Sequence, residues 1–118
     1  MTDKAEYTID AAGRTFGRVA SESAKALMGK TRAAYTPHIR SDIHVVITNA
    51  SKMHISERKG KSVVYKTYSG YHSGQTVETL SSMKDRRGIA NALRLSVGRM
   101  LPRNTMKVAR LKNLEIKQ

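Results

Sequence analysis

The run His44-Val45-Val46-Ile47-Thr48-Asn49-Ala50 constrains the fold more than any other feature of this chain. Its apolar centre suits a strand buried on both faces, the signature of a strand inside a parallel sheet. Upstream, Tyr7-Thr8-Ile9-Asp10-Ala11 reads as a shorter strand that stops at the turn residue Gly13. Between the two, Phe16, Ala20, Ala24, Leu27 and Met28 fall on one helical face and Arg18, Glu22 and Lys25 on another, with Gly29-Lys30 as the stop. Pro37 then biases Thr36 towards an extended backbone. Strand, crossover helix and second strand make a parallel βαβ unit, right-handed by the general rule.

Downstream the pattern is weaker. Lys52 to Ser56 is a candidate short strand, followed by a basic loop, Glu57-Arg58-Lys59-Gly60-Lys61. Lys61 to Tyr68 alternates imperfectly, and the two glycines of Ser69-Gly70-Tyr71-His72-Ser73-Gly74 predict an exposed polar loop. Ile89, Leu93, Val97 and Met100 form one apolar stripe on a helix from about Arg87 to Met100, which Pro102 ends. In the tail, Arg103, Lys107 and Arg110 share a face if it is helical, and Leu111 to Ile116 reads as a closing strand. With 118 residues, 39% of them hydrophobic, the chain has material for one domain and a small core.

Charge points to the partner. Twenty-two Lys and Arg against nine Asp and Glu leave a net +13, and residues 81–118 alone hold ten basic and two acidic side chains. A second excess, of +5, lies in residues 14–40. Such a surface attracts polyanions, nucleic acid first and an anionic membrane surface second. The absence of cysteine removes disulfides, thiolate metal sites and thiol catalysis. No apolar run approaches the roughly 20 residues of a membrane span, and the start Met1-Thr2-Asp3-Lys4-Ala5-Glu6 is too polar and acidic for a signal or transit peptide. The chain reads as soluble and intracellular.

Catalytic constellations are lacking. Gly13-Arg14-Thr15-Phe16-Gly17-Arg18 sits between strand and helix, where a phosphate-binding turn would lie, but it is neither G-x-G-x-x-G nor G-x-x-x-x-G-K-[ST]. A tight turn is the plain reading. Alternatively, free helix N–H groups with Arg14 and Arg18 seat one nucleic-acid backbone phosphate. His38, His44, His54 and His72 lack metal-ligand spacing, and Ser69, His72 and Ser73 lack a nucleophile elbow. One Phe, five Tyr and no Trp leave no aromatic strand for reading unstacked bases, so phosphate and shape recognition of folded RNA fits better. Tyr35 and Tyr71 either stack on a base or bury against their own loops.

Several blocks, in order, resemble the bacterial-type large-ribosomal-subunit protein thirteen family: Ile9-Asp10-Ala11, Gly17-Arg18-Val19-Ala20-Ser21, Gly29-Lys30, Tyr35-Thr36-Pro37-His38, Asn49-Ala50, Ser69-Gly70-Tyr71 and Met100-Leu101-Pro102-Arg103-Asn104. The resemblance covers roughly residues 7–116. It implies a three-layer α/β/α single domain with a mostly parallel central sheet of about four strands, basic loops and a basic C-terminal tail. It also implies a cytoplasmic structural protein of the large ribosomal subunit that binds large-subunit rRNA early in assembly, beside neighbouring ribosomal proteins. No catalytic residue, cofactor, metal, membrane or small-molecule substrate is implied.

Carried over by position, the RNA contacts are Arg14, Arg18, Lys30 and Arg32 around the first helix and Tyr35, Thr36 and His38 in the block after it. Lys61, Lys66, Tyr68, Ser69 and Tyr71 lie in and before the glycine loop, and Arg99, Arg103 and Asn104 at the proline stop. The basic periodicity of the tail adds Lys107 and Arg110. Three departures stand out: the Tyr68–Gln75 loop lacks the family's second Gly-Gly pair, Arg99 stands where glycine is common, and the chain stops at Gln118. Contacts of the family's usual histidine-bearing C-terminal extension are therefore expected to be absent. The competing readings are a small α/β nucleotide-binding enzyme using the Gly13–Gly17 turn and a nonspecific basic nucleic-acid-coating protein.

Overall fold

Strand β1 (Ala5–Asp10) alternates half-buried or buried Ala5, Tyr7 and Ile9 with exposed Glu6, Thr8 and Asp10, as an edge strand with one covered face should. Helix α1 (Phe16–Met28) follows and carries the chain to β2 (Ile43–Thr48), which pairs parallel with β1 from Ala5↔Ile43 to Asp10↔Thr48. The expected parallel βαβ unit is present. The structure, a computed structural model, describes residues 5–33 and 35–118, so the first four residues of the polar N-terminus lie outside it. On the other side of β2, the last strand β5 (Leu114–Ile116) also pairs parallel, giving the order β1-β2-β5.

Local chemistry sets the ends of the first unit. Asp10 Oδ1 accepts from the Ala12 N–H and the Asn49 side-chain amide, both at 3.1 Å, and Gly13 takes φ +71° to turn the chain. The Asn49 amide, then the Ala12 N–H, hold the Asp10 carboxyl below its ordinary range. At the other end of α1, Gly29 adopts φ +85°, and the N–H groups of Gly29 and Lys30 return to the Ala26 and Lys25 carbonyls. A Cβ on Gly29 would stand 3.0 Å from Ser41, whose Oγ donates to the Leu27 carbonyl.

The core lies under one face of the sheet. Ile9, Ile43, Val45, Ile47 and Leu114 meet Val19, Ala20 and Leu27 of α1 and Ile89, Leu93 and Val97 of α4 (Ile89–Met100), and α4 packs across α1. The opposite face carries exposed Glu6, Thr8, Asp10 and Glu115, with Val46 alone buried among them at 5% exposure. Strand β2 thus has a buried centre on both faces, although its neighbours are covered on one.

Between β2 and α4 the structure departs from expectation. Lys52–Ser56 is not a strand: a 3-10 turn (Ala50–Lys52) leads to a single bridge, Thr15↔His54, so the parallel sheet has three strands instead of about four. The supposed basic loop is helix α2 (Glu57–Ser62), started by Ser56, whose Oγ accepts from the Lys59 N–H at 3.2 Å. Strands β3 (Val64–Tyr68) and β4 (Gln75–Thr79) form a separate antiparallel hairpin around the predicted loop. A further helix, α3 (Leu80–Arg87), precedes α4, and Gly88 at φ +88° divides them, so the single helix expected from Arg87 starts two residues later. Met100 is exposed, and Leu101, extended before Pro102, takes the buried place.

Helix α5 (Met106–Lys112) corrects the reading of the tail. Arg103 precedes the helix, Lys107 is half-buried, and Arg110 is only 2% exposed, so the three do not form one basic face. The Arg110 side chain makes no ion pair among the described residues, and its Nε lacks a hydrogen-bond partner.

Two stability outcomes follow from this packing. Leu93→Ala, removing a fully buried side chain between helices and sheet, should cost about 2–5 kcal/mol in urea unfolding. Arg110→Met should leave the melting temperature equal or raised, because an unpaired buried charge is replaced by an apolar group of similar length. A fall of several degrees would show that the guanidinium has a stabilising partner.

Candidate nucleic-acid interface

The βαβ turn places a first basic cluster. The bridge Thr15↔His54 and the bond from the His54 N–H to the Arg14 carbonyl (2.9 Å) bring the segment after β2 beside the start of α1. Lys59 Nζ lies 3.5 Å from where a Cβ on Gly17 would stand, in the first turn of α1. A shallow concavity of about 310 Å³ on α1 is lined by Arg14, Arg18, Ser21, Glu22 and Lys25. Arg14 is partly neutralised by Glu22 at 2.5 Å, whereas Arg18 and Lys25 are exposed and unpaired among the described residues. Lys59 was part of a basic run in the sequence, but only the fold brings it against Gly17 at the start of α1.

The Gly13–Gly17 turn is not a phosphate cradle of the nucleotide-enzyme kind. The Ala12 N–H donates to Asp10, the Gly13 N–H to the Lys52 carbonyl at 3.1 Å, and the Arg14 N–H to the Ala11 carbonyl at 3.2 Å. Three successive donors are consumed inside the protein, whereas a P-loop turns its N–H groups outward to an anion. At α1 itself, Thr15 makes no side-chain cap and the first turn holds no acid.

The other expected contacts fall into separate groups. Lys30 and Arg32 are exposed beyond the far end of α1, about 20 Å from its start at 1.5 Å per residue. Tyr35 and His38 are exposed in the following loop, and half-buried Thr36 accepts the Ile39 N–H at its carbonyl. Lys61 is exposed on α2. Lys66, Tyr68, Ser69 and Tyr71 are exposed on the hairpin and its turn, where Gly70 and Ser73 both take positive φ. At 79% exposure, Tyr71 does not bury against its own loop, and Tyr68 stands 70% exposed. Arg103 is exposed, while Asn104 uses its Oδ1 to accept the Met106 N–H at the start of α5. Arg110 belongs to the interior and presents no surface for contact.

The sequence reading also passed over a groove between hairpin and helices. Tyr65, Lys66 and Thr67 of β3, Glu78 of β4, Met83, Arg86 and Arg87 of α3, and Asn91, Leu95 and Arg99 of α4 line a cavity of about 280 Å³. Arg86 forks onto Glu78 at 2.9 and 2.7 Å, and this contact holds the Glu78 carboxyl below its ordinary range. The Arg99 guanidinium lies 5.1 Å from the Tyr65 ring centroid, a cation–π distance. Among the described residues no group of three His, Asp or Glu side chains is arranged to hold a metal, and no helix is long and apolar enough to cross a membrane.

Comparison with known proteins decides the family. The sequence model described as Ribosomal protein L13 matches residues 4–117, from before β1 to just past β5. The chain belongs to the ribosomal protein L13 family. Similar relatives are the large ribosomal subunit proteins uL13 of Picosynechococcus, 38% identical over 88% of this chain and 68% of that protein, and of Vibrio campbellii, 37% identical over 93% and 77%. The uL13 of Chlamydia pneumoniae is 36% identical over 98% of this chain and 76% of its own length. The ordered blocks in the sequence had therefore indicated the correct family. In this L13-family chain, the match includes both the basic cluster at α1 and the hairpin groove.

Glu22 links the sheet to this cluster, because its carboxylate accepts from the Tyr7 hydroxyl at 3.0 Å and also pairs with Arg14. The hydrogen bond to Glu22, reinforced by its negative charge, raises the Tyr7 pKa above 10.0. Since the folded value is raised, the stabilisation is complete below pH 10 and is lost as pH climbs through the folded pKa. Glu22→Gln should bring the Tyr7 phenol back towards 10.0 in an NMR titration, and Tyr7→Phe should remove this part of the alkaline stability loss.

Proposed function

We propose that this chain is a structural constituent of the large ribosomal subunit, binding large-subunit rRNA and supporting early subunit assembly from the cytoplasm. The observation that carries the reading is family membership across nearly the whole chain, joined to exposed cations distributed over α1, α2, the hairpin and the α4–α5 loop. Phosphate contacts supply most of the affinity, and the fold sets their spacing. The role needs no catalytic residue and no cofactor. Neighbouring ribosomal proteins complete the surroundings.

The proposed RNA contacts are Arg14, Arg18 and Lys59 around the first turn of α1, Lys30, Arg32, Tyr35, Thr36 and His38 beyond its end, and Lys61 on α2. Lys66, Tyr68, Ser69 and Tyr71 on the hairpin and Arg99, Arg103, Asn104 and Lys107 near α5 complete the set. Uncapped N–H groups at the start of α1, with Arg14 and Arg18, suit one backbone phosphate. Residues 1–118 act as one ribosomal-protein domain in this reading. Its three-layer α/β/α form would require a layer over the sheet face that bears Glu6, Thr8 and Glu115.

Filter binding to a large-subunit rRNA fragment tests the function, with an unrelated duplex RNA of equal length as the comparison. Tighter binding to the ribosomal fragment is expected; equal affinity would reduce the protein to a nonspecific nucleic-acid coat. Arg18→Glu and Arg103→Glu should each lower the salt dependence by about one unit of log–log slope per lost duplex phosphate contact. An unchanged slope would remove that residue from the interface.

A further inference from the structure

We propose that the groove between β3, β4, α3 and α4 receives one unpaired nucleotide of RNA, its base on the Leu95–Arg99 wall and its flanking phosphate on Arg87. The proposal rests on the RNA-binding reading above and adds to it a place where a base, not only the backbone, is held. Its walls come from four regular elements, with Glu78 supplied by β4. Tyr65 and Thr67 lie on one side of β3, Met83, Arg86 and Arg87 are spaced i, i+3 and i+4 on α3, and Asn91, Leu95 and Arg99 are spaced i, i+4 and i+8 on α4. A volume of about 280 Å³ falls just under the range of small-ligand sites, roughly 300–1,000 Å³, which limits the occupant to one nucleotide at most.

Charge selects the occupant. Glu78 is the one acid among the lining residues, and the forked contact from Arg86 neutralises it. Lys66, Arg87 and Arg99 form no ion pair among the described residues, so cations outnumber the one acid and an anionic ligand is favoured. The floor is nonetheless apolar: Tyr65 and Met83 are buried below, and Leu95 stands 40% exposed although it is a large aliphatic side chain on a helix. A bare phosphate would leave that surface uncovered. A nucleobase covers it, because a planar ring can lie on Leu95 and on the flat Arg99 guanidinium, itself held over Tyr65. The Asn91 side-chain amide, with both donor and acceptor, faces the same cavity and is suited to a base edge.

Two measurements test this. In the first, the full chain is titrated with millimolar adenosine monophosphate, inorganic phosphate and a glutamate-rich peptide, while NMR follows the Leu95 methyls, the Asn91 side-chain amide and the Arg99 Nε–H. All three groups should shift with the nucleotide, and the Leu95 methyls should stay unmoved by phosphate. Equal response to phosphate would leave only an anion site, and response to the peptide alone would make the groove a protein-docking surface; either result overturns the proposal. In the second, Leu95→Ser should weaken binding of the large-subunit rRNA fragment about five-fold or more with no change in salt slope, as loss of a stacked base predicts. Arg87→Gln should instead lower the slope by about 0.7 to 0.9 units. If wild-type protein binds the fragment specifically and Leu95→Ser binds it equally well, the groove assignment fails while the ribosomal role stands. If wild-type protein shows no preference for the fragment, the ribosomal reading fails, and the mononucleotide titration still decides the groove.

Discussion

Strand β2 has its backbone bonded on both sides, to β1 and to β5, while Ile43, Val45 and Ile47 lie beneath the helices. Parallel strands cannot be joined by a tight turn, so each pairing forces a crossover through a helix that covers the sheet. The β1–β2 crossover contains α1; the path from β2 to β5 contains the hairpin and the four later helices. Where the basic side chains stand follows from that arrangement. The bridge between Thr15 and His54 continues the parallel pairing past the ends of β1 and β2, and Lys59, five residues after His54, lies against Gly17 of α1.

A net charge of +13 opposes compaction, and the few acids are placed where they relieve it locally. Glu22 joins Arg14 and Tyr7, Glu78 takes Arg86, Glu115 lies 3.4 Å from His44 and 3.8 Å from Lys117, and Asp10 holds the turn before α1. Most of these contacts are exposed, so their net contribution is small and salt-sensitive. Hydrophobic packing under one sheet face bears most of the stability. The remaining arginines and lysines are left on helix ends, hairpin and loops for an anionic partner, whose binding would reduce the repulsion that folding alone leaves in place.

Arg110 and Arg99 show how residue type alone misplaces a side chain. Both are arginines in a basic C-terminal third, yet one is enclosed by α5 and its surroundings and the other lies over an aromatic ring at the mouth of a groove. Helix α3 escaped notice because only Leu80 and Met83 of Leu80–Arg87 are buried, too few for a periodic signal. Helix α2 was hidden by Gly60, a poor helix former. That glycine is buried against α3, where a Cβ would stand 2.5 Å from Ser81 Oγ, so its small size serves this contact. Strand β4 was equally obscure, since Gln75, Thr76 and Val77 are all exposed.

Sequence by itself determined the βαβ unit, the Ile89–Leu93–Val97 stripe of α4, the stop at Pro102, the existence of a closing strand and the family, because each depends on periodicity or on an ordered set of local blocks; of the expected strand Leu111–Ile116, only Leu114–Ile116 is strand, and Leu111 and Lys112 end α5. Tertiary structure decided the three-strand order of the sheet, the separate hairpin, the burial of Arg110 and the approach of Lys59 to Gly17 at the start of α1. The same holds for the groove that joins β3, β4, α3 and α4. These depend on contacts between segments far apart in the chain, and a strand edge, a half-buried helix or an arginine has no local pattern that reveals which distant surface it will meet.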